Sequence, residues 1–467
     1  MISLGKDMGR AKTHRLAAMG RALAHRNFRL FVAGQGISVV GTWMQQVATV
    51  WLVYRLSHSV FLLGLADFAS LIPAALVLPV AGVLTDRWNR HRTLLATQSL
   101  AMLQAFVLMA LTLAGVVSVW QVILLGALLG LVNAFDVTAR QSFVIQMVER
   151  HEDLANAIAI NSSAFNAARL LGPAVAGFVI GTFGECPCFL LNGLSYLAVL
   201  GSLLAMRVRP ASEPVSDLSI VEGLNEGLEY VAGSMPIRTL LILLGIVSMM
   251  SAPLTVLMPP LATEVLHGGP HTLGLLTSAM GVGALGASLF LAARKSAVGL
   301  TTVIAVATGM FGLGMAGISL SHTLWISLVL LAATGFAMVA QMAASNAVLQ
   351  TIVEENKRGR VMSFYTLAFF GMGPLGSLLS GSLAGTLGTT TAFLICGMLC
   401  VTGSLVFAAL LPGLRRAVRP IYIRVGILAE VAAEVQATEP ETAPVGPCII
   451  PLVSRSAETP AARRLAA

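Results

Sequence analysis

The chain has 467 residues, of which 56% are hydrophobic and only 11% charged, and its mean hydropathy is +0.84. Water cannot cover so much apolar surface, which excludes a soluble globular protein and points to a lipid bilayer. The net charge of +8, from 29 Lys and Arg against 21 Asp and Glu, is concentrated in short connectors, a distribution that fits a membrane better than nucleic acid.

Residues 1–26 are basic and helix-friendly and are not followed by a short apolar core with a small-residue cleavage site, so they read as a retained cytoplasmic segment at the membrane surface. Twelve apolar runs come next. The first six lie near 28–54, 60–84, 93–116, 119–141, 156–182 and 188–206. The last six lie near 238–262, 272–292, 299–320, 324–347, 361–385 and 389–411. About twenty helical residues cross roughly 30 Å of hydrocarbon, and only a helix satisfies its own backbone groups within one segment there. The expected fold is therefore all-α and integral to the membrane. Its units are a first six-helix bundle at 27–206, a cytoplasmic linker with a short helix at 207–237, a second bundle at 238–412, and a mostly disordered cytoplasmic tail at 413–467.

Orientation follows from the basic residues, which stay on the cytoplasmic side. With the N-terminus inside, Arg87, Arg90, Arg92, Arg150, Arg207, Arg209, Arg238, Arg294, Lys295, Lys357, Arg358 and Arg360 all fall on inner segments, whereas the outer loops hold only Arg55. Both termini are expected inside, in a bacterial inner membrane. The two halves also echo one another. Trp120 and Trp325 open corresponding spans 205 positions apart, "LGLAD" (63–67) matches "LGLLT" (273–277), and Gly172-Pro173 matches Gly373-Pro374 at an offset of 201. Two six-helix repeats are the architecture of transporters that rock around a midplane site.

Between spans 2 and 3 lies "AGVLTDRWNRHRT" (81–93), with five ionisable side chains in seven positions. Gly82, Asp86, Arg87 and Arg90 in this loop resemble the gating signature of the major facilitator superfamily. Gly172, Pro173 and Gly177 in span 5 resemble a reduced form of the motif found in that superfamily's antiporters. "GTWMQQVATVWLVYRL" (41–56) and "NAFDVTARQSFV" (133–144) are similar to its enterobactin-exporter-like and macrolide-efflux-like branch. The resemblance implies a pseudo-symmetric pair of bundles and export by alternating access.

The charged residues carry the mechanistic expectations. Asp86 can accept charge-assisted hydrogen bonds. Its expected partners are Arg140 and, one turn earlier, Asp136, as a latch that shuts the inner gate; the loop arginines alone would serve as a topology signal. Within the membrane, charge is costly and points to function. Asp67 lies about seven residues into span 2, roughly 10 Å deep at 1.5 Å per residue, where a carboxylate can carry a coupling proton or simply sit hydrated near the mouth. Arg169 lies near the centre of span 5, with Ser162, Asn166 and Pro173 on the same face. It can bind an anionic substrate group, neutralise a carboxylate, or bond neighbouring backbone. Gln46, beside Gln45 on span 1, is a further hydrogen-bonding candidate, and Gln341, Asn346, Tyr365 and Thr366 are second-half candidates.

The five cysteines, at 186, 188, 396, 400 and 448, form no metal-spaced double pair, and no phosphate-binding loop or catalytic constellation is recognisable. No enzyme activity, cofactor, metal or nucleic acid is expected. The leading expectation is a monomeric secondary transporter exporting a small amphipathic or hydrophobic compound, such as a drug-like molecule or siderophore, with protons as coupling ion. The alternatives are a lysophospholipid transporter and a membrane sensor or scaffold that has lost transport.

Overall fold

The computed structural model describes residues 21–147, 153–206, 220–294, 298–355 and 357–424. The first half consists of α1 (Arg26–Ser57), α2 (Val60–Arg87), α3 (Arg90–Leu113), α4 (Val119–Met147), α5 (Leu154–Phe183) and α6 (Cys186–Ala205). A linker helix, Ile220–Gly233, precedes the second half. That half comprises α7 (Met235–Val256), α8 (Pro270–Ala293), α9 (Leu300–Leu320), α10 (Leu324–Ile352), α11 (Arg358–Leu387) and α12 (Thr389–Arg424). Eleven of these twelve helices are apolar and long enough to cross a membrane. The exception, α1, is 32 residues long, and Gln35, Gln45 and Gln46 lower its hydropathy. Two of those glutamines are buried among neighbouring helices, so the polarity of α1 is turned inward.

Local chemistry sets the boundaries. Ser59 and Asn89 cap α2 and α3, accepting from the backbone N–H of Leu62 and Arg92. The repeat shows at the ends of α5 and α11, where Gly184 and Gly388 adopt φ of 81° and 89°. A left-handed conformation there favours glycine, and the two positions keep the offset between the halves. Pro253, Pro259 and Pro260 break α7 beyond Met250 into short pieces that end in a π turn, Leu261–Val265. In α11 a π turn, Leu367–Gly371, lies just before Pro374. Proline lacks the N–H that would continue the ladder, and a π turn accommodates the mismatch.

The last helix runs past the span end expected at 411. It continues to Arg424 through Pro412 and Pro420. Leu414, Val418 and Tyr422, spaced by four, are buried in one hydrophobic cluster with Leu300 and Ile304 of α9 and Leu240 and Leu244 of α7, the helices on which α12 packs. The apolar stripe continues at the helical period, and burial of that stripe outweighs the two prolines.

The core reveals how the halves meet. Call the end where α1 and α3 begin the basic face, and the opposite end the far face. At the far face one shared core joins residues of both halves, among them Leu52, Leu108, Phe189, Leu257, Phe311 and Phe393. Toward the basic face the described residues form separate cores. Phe28, Phe31, Leu94 and Phe143 belong to the first half, and Leu240, Ile304, Val348 and Leu414 to the second. The halves are thus closed together at the far face and part toward the basic face.

Candidate functional site: a cavity between the halves

Two helix pairs carry the join. On one side α5 packs on α8, where a Cβ added to Gly177 would lie 2.8 Å from the Cα of Gly274. On the other side α2 packs on α11, where a Cβ on Gly381 would lie 2.9 Å from the Cα of Gly64. Real side chains do not fit at such distances, so both crossings rely on small residues, as helix interfaces in lipid do. Gly172 is used differently: its Cβ would meet the Cβ of Trp43 at 2.5 Å, so it seats α5 on α1 within the first half. Pro173 lies inside α5 without ending it.

Between these crossings is a cavity of about 210 Å³. Its first-half lining includes Asp67, Leu71 and Arg169, and its second-half lining Leu244, Met280, Met338, Gln341, Phe369 and Phe370. Asp67 accepts a hydrogen bond of 2.5 Å from the Ser377 hydroxyl of α11. The carboxylate expected to be coupled or hydrated is therefore held across the two halves. The Arg169 guanidinium carbon lies over the Trp43 ring, 5.6 Å from its centroid, and its Nε is buried without a partner. Asn166 donates to the Ser162 carbonyl and, at 3.4 Å, to the Ser288 hydroxyl of α8, another contact between halves.

Other expected residues lie elsewhere. Gln46 is exposed, whereas its neighbour Gln45 is 4% exposed and uses both ends of its amide. Gln45 donates to Gln104 at 2.8 Å and accepts from Asn192 at 2.7 Å, tying α1 to α3 and α6. The buried amide network thus centres on Gln45, a turn of about 100° from Gln46 on the helix, and serves helix association within one half.

At the basic face, Asp136 pairs with Arg140 one turn on. It also accepts from Thr97 at 2.9 Å and Gln98 at 2.7 Å, so it ties α4 to α3. The side chains of Asp86 and Arg87, at the end of α2, fall outside the described part of the chain. The described part of that loop is anchored: Thr85 donates to Thr138, Trp88 stacks on Phe135, and the His91 ring bonds the Leu203 carbonyl at 2.8 Å. Arg90 begins α3, and a Cβ on Gly82 would meet nothing within 4 Å.

One contact escaped the sequence reading. At the far face Tyr54 of α1 donates to Glu264 in the π turn beyond α7 at 2.5 Å, and Thr263 donates to the Tyr54 hydroxyl at 3.2 Å. Glu264 is the sole acidic residue between Glu229 and Glu354, a signal that was available in the sequence. Arg55 beside it forms a two-pronged bond with Glu185 inside the first half.

Two bundles of six helices around a central cavity are shared by many membrane transporters, so the family has to come from sequence. The family model for "transmembrane secretion effector" matches residues 19–419. The chain belongs to this family of the major facilitator superfamily. The resemblance carried by the loop between α2 and α3 and by α5 is therefore correct, and the protein is a transporter rather than an enzyme. Among curated relatives, it is 24% identical to the staphyloferrin A transporter of Staphylococcus aureus, over 80% of this chain and 94% of that one. It is 27% identical to the multidrug efflux pump Tap of Mycolicibacterium fortuitum, over 82% and 93%. It is 21% identical to macrolide efflux protein A of Streptococcus pyogenes, over 79% and 92%. Of solved structures, the nucleoside transporter NupG superposes with a TM-score of 0.62 at 13% identity, covering 81% of this chain and 99% of that one. An inward-facing, unoccupied bacterial homologue of the human lysosomal transporter Spinster superposes at 0.60 and 15%, covering 85% and 98%. These two share the fold.

Proposed function

We propose that this chain exports a small amphipathic or hydrophobic molecule across a bacterial inner membrane by alternating access, as a monomer driven by inward proton movement. On this reading the basic face is cytoplasmic, because Lys and Arg are retained there. The present arrangement is then the inward-open one. Relatives named for staphyloferrin A, for multiple drugs and for macrolides support an exported small-molecule cargo.

The observation that carries the coupling is the Asp67–Ser377 bond between the halves. A hydroxyl bonds an ionised carboxylate more strongly than a neutral one. Separation of the far face breaks this bond and leaves Asp67 to take a proton from outside. Return to the present arrangement re-forms it and releases the proton to the cytoplasm, with substrate moving the other way. The basic-face latch would belong to the opposite, outward-open state, with Asp86 joining the Asp136–Arg140 pair.

The test begins with an untargeted comparison of compounds accumulating in cells with and without the protein, then follows one of them in proteoliposomes. The wild type is expected to move it in proportion to an imposed pH gradient. Asp67→Asn is expected to lose the gradient dependence while keeping downhill movement. Unchanged gradient dependence in Asp67→Asn removes the coupling assignment. No gradient-driven movement in the wild type removes the export reading.

A further inference from the structure

Among the described residues, Arg169 is a charge without a counter-charge. It lies near the middle of α5, the part of a spanning helix where an ion is most costly. Among the described residues no carboxylate pairs with it within 4 Å. The carboxylate of the same cavity, Asp67, is taken by Ser377. The cation–π contact with Trp43 uses none of the guanidinium N–H donors, and the buried Nε has no partner. A planar fork of donors placed over an indole and opening on a cavity matches a carboxylate or phosphate, which it can grip with two parallel bonds.

A second group points the same way. Gln341 of α10 is fully buried, lines the cavity, and its Oε1 has no partner. Its amide nitrogen rests 3.4 Å from the Ser345 hydroxyl, which can donate as well as accept. The amide can therefore turn either end toward a ligand. The remaining wall is Met280, Met338 and Phe369, apolar and, for the methionines, adaptable in shape.

We infer that Arg169 receives an anionic group of the transported molecule, so that the substrate class is amphipathic organic anions, each an apolar body ending in a carboxylate or phosphate. At about 210 Å³ the cavity encloses one end of such a molecule, smaller than the roughly 300–1,000 Å³ of a site for a whole drug-sized ligand. The inference rests on the export reading only in taking this cavity as the substrate site. A membrane lipid and a free solute carry the same chemistry, and the test separates them.

Full-length protein in phosphatidylcholine nanodiscs, with Trp43 kept as the lone tryptophan, reports directly beside Arg169. Two probes with identical chains and opposite heads are titrated, dodecyl phosphate and dodecyltrimethylammonium. Dodecyl phosphate is expected to shift Trp43 emission saturably. Binding should weaken by at least about ten-fold in both Arg169→Gln and Arg169→Met, the latter relieved of its buried charge, and recover in part in Arg169→Lys. The ammonium probe should give no saturable shift. Equal response to both heads, or a phosphate response unchanged in Arg169→Gln and Arg169→Met, overturns the inference. The same shift on adding phosphatidylglycerol to the nanodiscs, without probe, identifies a lipid as the anion; its absence identifies a solute. Gradient-driven movement of the ammonium probe alone in proteoliposomes overturns the anion inference and leaves export standing. Arg169-dependent phosphate binding with no gradient-driven movement of any compound overturns export and leaves the anion site.

Discussion

Asp136 is 4% exposed, and three donors from two helices converge on it: Thr97, Gln98 and Arg140. Removing the carboxylate strands Gln98 and Arg140 and leaves Thr97 only the Leu94 carbonyl, and breaking a buried pair from one side costs on the order of 3 kcal/mol. Asp136→Ala is therefore expected to melt well below the wild type in detergent, with Asp136→Asn between them because its amide still accepts from Thr97 and Gln98. Equal melting temperatures for all three proteins would contradict this account of the α3–α4 join. The residue scale is also where the sequence was hardest to read. Asp67 and Arg169 stood out because a charge inside an apolar run is conspicuous. Thr97, Gln98, Gln104 and Asn192 did not, since a neutral polar residue in a helix that is apolar on every side carries no mark of its facing. The same ambiguity hid the network at Gln45, the neighbour of Gln46.

At the scale of elements, lipid crossing is a local property of composition, so the existence and order of the spans were legible, their ends only to within a turn or more. The breaks were less so. Prolines marked the weak points of α7 and α11, yet nothing local told a π turn from a helix end. Pro412 and Pro420 signalled a terminus that burial of Leu414, Val418 and Tyr422 overrides. The linker helix is another case in which tertiary contacts decide. Glu226 takes the Lys357 ammonium at 2.6 Å and pairs with Arg360 at the start of α11. Hydrogen bonds from Lys357 and then Arg360 hold its carboxyl below the usual carboxylate range. A carboxyl that titrates lower when docked than when free favours docking above its free value, and loses that contribution as pH falls through the docked one. Hydrogen exchange of residues 220–233 is accordingly expected to be slow at pH 7 relative to intrinsic rates and to lose protection only at acid pH of about 3, below the ordinary carboxylate value of about 4. Glu226→Gln should show the reduced protection already at pH 7. Protection equal in both proteins at both pH values would mean the ion pairs do not dock this helix.

For the molecule as a whole, the two-fold repeat was readable from Trp120 and Trp325 and from the Gly-Pro pairs. Which face is closed was not, because that depends on contacts between helices far apart in sequence. The shared core, the glycine crossings and the Tyr54–Glu264 bond all lie toward the far face, and the separate cores toward the basic face. If the halves pivot, the two faces must change in opposite senses. Spin-label distances on a cysteine-free background measure this directly, with one pair at Arg92 and Glu355 on the basic face and one at Val116 and Trp325 on the far face, all exposed positions. Tyr54→Phe, which removes the donor to Glu264, or addition of an exported compound, is predicted to lengthen the far-face distance while shortening the basic-face one. Two distances that rise and fall together, or that stay fixed under every condition that supports export, would contradict alternating access in this protein.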